Sequence, residues 1–182
     1  MANNFWSNRS LEPKRQFRFL VSFEPQPGVQ LDFAAKSVDR PSYTIGESEH
    51  QFFNHTFYYP GRVTWNTVTL TLVDAVTPSS TEALYEYLAS IGIADPVGRT
   101  QADVQATTIT KASATSVLTQ FLIKELGNVS DSSNATAVLG QWELVNPFIT
   151  EVNFGSHDYA SDEMVEITVT LRYDWAIYEA LN

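Results

Sequence analysis

The residues best equipped for chemistry in this chain are three histidines and one acidic stretch. His157, Asp158, Asp162 and Glu163 bring oxygen donors and an imidazole into one short segment, the composition of a loop that holds Ca²⁺ or a catalytic metal. Their spacing does not follow the Asp-x-Asp-x-Asp-Gly pattern, and acidic loops are ordinary in a chain of net charge -10. His50 and His55 stand five apart in an extended stretch, which predicts opposite faces of one strand and no joint ligation. With no cysteine there is no thiolate nucleophile, disulfide framework or thiolate metal site. No Gly-x-Ser-x-Gly elbow occurs, no His stands beside a Ser and an Asp, and the eight glycines form no phosphate loop. The expectation is a protein that is not an enzyme and has no metal or cofactor. Tyr58, Tyr59 and Trp65 offer a stacking platform for a sugar, against the stronger reading of those aromatics as core or interface.

The elements that would position these residues read mainly as strands. Trp65 to Val73 alternates Val68, Leu70 and Leu72 against Thr67, Thr69 and Thr71, and its β-branched residues favour the pleated backbone. Val165 to Trp175 alternates in the same way, with Ile167, Val169, Leu171, Tyr173 and Trp175 expected to face the core. Phe17 to Phe23 predicts a first strand and Val29 to Ala35 a second, forming a hairpin over 16–35. Residues 42–59 predict an irregular pair of strands turning near Gly46 or at His50–Asn54, with Pro60-Gly61 as a further turn signal. Ser116–Leu126 and Ala135–Leu144 predict a second hairpin, Phe148–Phe154 another strand, and Gly155–Asp162 a loop. One helix is expected: Ser79 to Glu82 fits a capping box, Leu84, Tyr87, Leu88 and Ile91 form one stripe, and Gly92 suits the C-terminal position. The total is about eight strands and one helix, a β-sandwich or partial barrel.

Charge is unevenly placed. Residues 1–18 hold four cations and one carboxylate, leaving seven cations and twenty carboxylates in the remainder. An acidic body argues against wrapping nucleic acid, which needs Lys and Arg to replace counterions, but not against nucleic acid sliding past. Few charges and 13% aromatics suit a surface covered by partners. No window reaches the length of a membrane span. Residues 1–15 read either as a frayed tail or as an N-terminal arm that docks Phe5 and Trp6 on a neighbour, ahead of one domain over 16–182. Residues 93–115 read as an extended loop of functional character.

Four stretches in this order resemble the tail tube proteins of contractile-tailed bacteriophages, whose fold is shared with the inner tube of type VI secretion. They are Phe17–Phe23 followed by Phe33–Lys36 and Arg40-Pro41, then Phe57–Asp74, then Pro78–Ile91, and lastly Leu139–Leu144 leading to Val165–Trp175. The resemblance covers roughly residues 16–178 and implies homohexameric rings that stack into a hollow tube, each subunit giving strands to a ring-wide barrel. It implies that DNA passes through without specific binding. The implied partners are further copies of the chain, a tail sheath protein, a tape measure protein in the lumen, and baseplate and tail terminator proteins. The implied location is the virion tail, after synthesis in the host bacterial cytoplasm. Candidate inter-subunit contacts are Phe5, Trp6, Phe52, Phe53, Tyr58 and Tyr59. A baseplate tube-initiator, a secretion-type tube protein and a monomeric sugar-binding β-sandwich are the alternatives.

Overall fold

The computed structural model of the chain describes residues 13–23, 34–93, 109–118, 120–127 and 138–181. Its centre is β5 (Val68–Val73), where Val68, Leu70 and Leu72 are wholly buried and the threonines between them are half-buried. It pairs antiparallel with β9 (Glu166–Arg172), setting Leu70 opposite Val169 and Leu72 opposite Ile167 on one dry face. Two further strands, β2 (Ala35–Val38) and β8 (Phe148–Asn153), flank this pair in the order β2-β5-β9-β8. A second sheet runs β1-β6-β7-β10, from β1 (Phe19–Phe23), β6 (Phe121–Leu126), β7 (Val138–Val145) and β10 (Trp175–Ala180). Val21, Phe121, Ile123 and Leu144 join the Val/Leu/Ile row of the first sheet in a single core. Each such aliphatic side chain contributes about 1.5–3 kcal/mol through burial. The mainly-β sandwich expected from the sequence is the architecture found, as two open antiparallel sheets.

The structure has ten strands and two helices among the described residues, more than the alternation of residues predicted. The run from Trp65 to Val73 is broken at Asn66-Thr67, where the chain leaves a separate two-stranded hairpin and enters the four-stranded sheet. Asn66 N–H donates to the Ser42 carbonyl at 2.9 Å, its side-chain amide meets the Ser42 hydroxyl at 3.0 Å, and Arg172 Nη1 donates to the Trp65 carbonyl at 3.1 Å. The run from Val165 to Trp175 is likewise cut at Tyr173-Asp174. There the chain crosses from the β9 sheet to β10 in the other, so Tyr173 is buried but Trp175 is not. Of the expected 16–35 hairpin, the first strand is present as β1, which pairs with β6, while β2 starts only at Ala35 and pairs with β5. Residues 29–33 of its second strand lie outside the described residues. Residues 111–117, placed in the sequence reading partly in a loop and partly in a strand, form helix α2 (Lys111–Val117). Its start is a Thr110/Ser113 capping box, which lacks the Glu or Gln that usually marks one. The second predicted hairpin is present as β6 and β7.

Helix α1 (Ser80–Ser90) begins as the sequence indicates, with the Ser79 hydroxyl accepting from the Glu82 N–H. The other cap is Asp74, at the end of β5. Its carboxylate accepts from the N–H groups of Ser80 and Thr81, and from the Thr81 hydroxyl at 2.6 Å. A carboxylate at this position also meets the positive end of the helix dipole. Leu84, Tyr87 and Ile91 are buried in the core, and the Tyr87 hydroxyl donates to the Ala114 carbonyl of α2 at 3.1 Å. In the Leu-Gly-Gln-Trp motif of β7, a Cβ on Gly140 would collide with the Tyr178 hydroxyl. That hydroxyl accepts from Lys14, which is also paired with Glu125. Leu84→Ala is expected to cost about 2–5 kcal/mol in chemical denaturation through a core cavity. A cost below 1 kcal/mol would place α1 outside the cooperative core.

Candidate assembly surface

No cluster of catalytic type forms from the residues that the sequence singles out. His157, Asp158, Asp162 and Glu163 lie on the exposed connection between β8 and β9, and among the described residues no three His, Cys, Asp or Glu side chains converge to hold a metal ion. His50 and His55 share one face, contrary to the expected opposition. A turn separates them, with His50 opposite Phe57 and His55 opposite Phe52. The sugar platform is divided, since alternation along one strand puts Tyr59 on the face opposite Tyr58. Phe5, Trp6 and most of the 93–115 stretch lie outside the described residues.

What the structure does assemble is a hairpin of β3 (Tyr43–Phe52) and β4 (His55–Trp65), which among the described residues pair only with each other. Every residue of it except Trp65 is exposed. Tyr43, Ile45, Phe52, Phe53, Phe57, Tyr58, Tyr59 and Val63 are all roughly half exposed or more. A two-stranded ribbon is marginal in water by itself, and exposed apolar side chains in this number make it a candidate contact site. The candidate residues Phe52, Phe53, Tyr58 and Tyr59 all lie on it. Tyr43, Ile45 and Val63, which the sequence reading did not single out, lie there as well.

A bulge organises the ribbon. Ile45 faces Val63 but Glu47 faces Pro60, so Gly61 and Arg62 together oppose the single residue Gly46. The strands approach so closely there that a Cβ on Gly61 would stand 3.0 Å from the Gly46 carbonyl oxygen. Pro60-Gly61 is thus a bulge inside β4 and not the turn the sequence predicted. The bulge changes which face of the ribbon is apolar. Near the root, Tyr43, Ile45, Val63 and Trp65 share a face. Near the tip, Phe52, Phe57 and Tyr59 share the other, with His50 and His55.

The tip is the two-residue turn Phe53-Asn54, and Phe53 adopts φ 50. A bulky side chain in the left-handed region costs about 1–2 kcal/mol, and Gly or Asn is the usual occupant. The Phe53 ring, 88% exposed, packs edge-on against Phe52 at 4.5 Å and has little else to offset that cost.

The root is anchored. Trp65 stacks near Tyr43 at 5.1 Å and Tyr173 at 5.9 Å, tying the ribbon to the core. Burial pushes the Tyr173 hydroxyl pKa up, opposed by its approach to the Ser42 backbone. Beside the root lies an open groove of about 640 Å³, with Val63, Trp65, Ile109, Phe148, Lys111 and Asp174 among its lining residues. Asp174 takes both oxygens to Lys111, at 2.6 and 2.7 Å, and accepts from the Asn146 amide at 2.8 Å. These bonds hold its carboxyl below the ordinary value of 3.8.

No protein-family model matches the chain, and no curated protein matches it closely. Among solved structures, a chain in the structure of the anti-feeding prophage cap, a tube terminating cap, matches with a TM-score of 0.67 and 18% identity over 100% of both chains. A chain in the sheath/tube terminator structure of the extracellular contractile injection system PVC matches with 0.63 and 19% identity, over 93% of this chain and 98% of that one. A chain in the sheath-tube complex of the same system matches with 0.61 and 20% identity over 93% of each. The fold is therefore the one found in the tubes and terminators of contractile injection systems, in agreement with the resemblance seen in the sequence.

Two outcomes follow for this surface. Phe53→Asn is expected to raise the thermal midpoint of the unassembled protein by relieving about 1 kcal/mol of strain, while weakening any self-association measured by light scattering. An unchanged or lower midpoint would remove the strain argument. For Asp174, the unfolded carboxyl titrates above the folded one, so its contribution is complete above the unfolded value and is lost as pH falls through the folded value. Asp174→Asn is therefore expected to reduce stability at pH 7 and leave it unchanged near pH 2, read from urea melts at both pH values.

Proposed function

We propose that this chain is a structural, non-enzymatic subunit of a contractile-type tube, forming six-membered rings that stack into a hollow conduit. The single observation that carries this reading is the exposed aromatic β3–β4 hairpin on a sandwich of the contractile-injection tube and terminator fold. A free ribbon with one apolar patch at its root and another at its tip is incomplete as a monomer and complete only between subunits. Open sheet edges support the same reading, because pairing across neighbours protects edges that would otherwise aggregate.

In this reading each subunit adds strands to a ring-wide barrel. Further copies of the chain, a sheath outside, a tape measure protein and then DNA inside, and baseplate and terminator proteins at the ends are its partners. The acidic balance of the chain repels phosphate, so DNA moves through without being held. The assembly belongs to a phage tail virion, its subunits made in the bacterial cytoplasm.

A second reading is a ring that ends such a tube. The likeness to the anti-feeding prophage cap over the whole of both chains favours it. The two readings differ in stacking, since a tube subunit adds ring on ring and a terminator stops at one.

Negative-stain microscopy of the purified protein over a range of concentrations tests both. Six-fold rings that lengthen into hollow tubes are expected. Single rings that never stack would favour the terminator, and a monomer at every concentration would overturn the structural reading. Replacing Phe52, Phe57 and Tyr59 together by Ser is expected to abolish tubes, with a melting temperature close to that of the parent protein. Tubes of normal length from that variant would show that the hairpin tip is not an assembly contact.

A further inference from the structure

We propose that His50 and His55 together form a site for a divalent transition-metal ion of the imidazole-preferring class, Cu²⁺ or Ni²⁺, which clips β3 to β4 across the hairpin tip. The site does not depend on the tube reading, because both ligands come from one chain. His50 pairs with Phe57 and Phe52 pairs with His55, so the two histidines occupy diagonal positions on one face of the ribbon. Diagonal neighbours stand about 7–8 Å apart, closer at Cβ, and ring side chains span that gap. Both residues are exposed, so an ion reaches them from water with no rearrangement of the core.

The surroundings suit a cation. From Pro41 to Gly61 the chain has no Lys or Arg. Glu47 and Glu49, opposite Pro60 and Tyr58, lie on the other face, where they add negative potential and no ligand. On the histidine face the neighbours are Ser48, Phe52, Phe57 and Tyr59. Among the described residues no third His, Cys, Asp or Glu converges with the pair, so the protein supplies two nitrogens and water fills the remaining positions. Structural zinc takes four protein ligands and catalytic zinc three. Two imidazoles with water oxygens form instead the nitrogen–oxygen set on which Cu²⁺ and Ni²⁺ adopt tetragonal geometry.

Such an ion acts on the ribbon itself. Two strands alone are marginal in water, and the turn between these two holds Phe53 at φ 50. With one imidazole from each strand, the ion binds the paired hairpin in preference to an open one and stabilises that pairing by linkage. Once the first imidazole has bound, the second binds within the same molecule, which raises affinity above that of an isolated histidine. The register matters, because a slip of one residue sends one imidazole to the opposite face.

The test uses the unassembled fraction of the full-length chain, carrying no affinity tag, titrated with Ni²⁺ by isothermal calorimetry. One site per chain is expected, weakened at least tenfold by His50→Ala and by His55→Ala. His157→Ala, on the β8–β9 connection, is expected to leave it unchanged. The paired change His50→Gln with Gln51→His keeps three histidines but moves one imidazole to the face of Thr56. It is expected to weaken Ni²⁺ as much as His50→Ala does. All four substituted positions are exposed, so the metal-free melting temperatures are expected to match the parent and lost binding reports the site. No Ni²⁺ binding by the parent would overturn the proposal. Undiminished affinity in either alanine variant or in the paired change would show adventitious binding and overturn it too, as would loss of the site in His157→Ala. Electron paramagnetic resonance of the Cu²⁺-loaded protein gives a second readout. Coupling to two imidazole nitrogens is expected in the parent and to one in each of His50→Ala and His55→Ala, and a parent spectrum with a single imidazole nitrogen would overturn the clip.

Discussion

Two paired strands with no third strand and no covering layer cannot bury their own apolar side chains. The architecture of this protein follows from having such a ribbon and keeping it. Sheets elsewhere in the molecule solve the same problem internally, by facing β5 and β9 towards β1, β6 and β7 across a shared core. Among the described residues no layer faces the β3–β4 hairpin, and Tyr43, Ile45, Phe52, Phe57, Tyr59 and Val63 are exposed. A bulge at Gly46 opposite Gly61-Arg62 divides these residues between the two faces, which gives the ribbon an apolar patch at its root and another at its tip.

The rest of the chain makes such a ribbon usable by holding its root still. Asn66 and Ser42 join the two strands where they enter the sandwich, Arg172 reaches the Trp65 carbonyl, and Trp65 rests against the buried Tyr173. At the adjacent corner, Asp174 connects α2 through Lys111 to the β7–β8 turn through Asn146. The same corner is where the chain changes sheets. A lever is only as precise as its mounting, and the strongest polar contacts near the groove lie at this mounting and not along the lever. Elsewhere in the sandwich, Lys14 and Arg40 are both paired to Glu125, and Lys14 is also bonded to Tyr178.

Long alternating runs were readable because burial on one face imposes a period of two on residue type. Val68-x-Leu70-x-Leu72 and Ile167-x-Val169-x-Leu171 therefore appear in the sequence as they appear in the core. Helix α1 was readable from its cap and its stripe, though the contribution of Asp74 to that cap was not, because it comes from the end of the preceding strand and across a turn. Helix α2 was missed. Its seven residues are mostly Ala, Ser and Thr, whose weak local preferences are settled by packing against Tyr87 and β8. The breaks at Asn66 and Asp174 were missed for a related reason. Alternation continues through both corners, and nothing local says that the chain changes sheets there.

The candidate surface was legible only as an excess. The aromatics Phe52, Phe53, Phe57, Tyr58 and Tyr59 outnumber what one strand can bury, and this signalled a contact without showing its shape. The sequence by itself determined the class of fold, the identity of the core rows and the absence of cysteine chemistry, because each depends on residue type at short range. The tertiary structure decided which strands pair, which aromatics share a face and where the root groove lies. Those depend on one extra residue in β4 and on contacts such as Trp65 with Tyr173, more than a hundred positions apart, which no local pattern encodes.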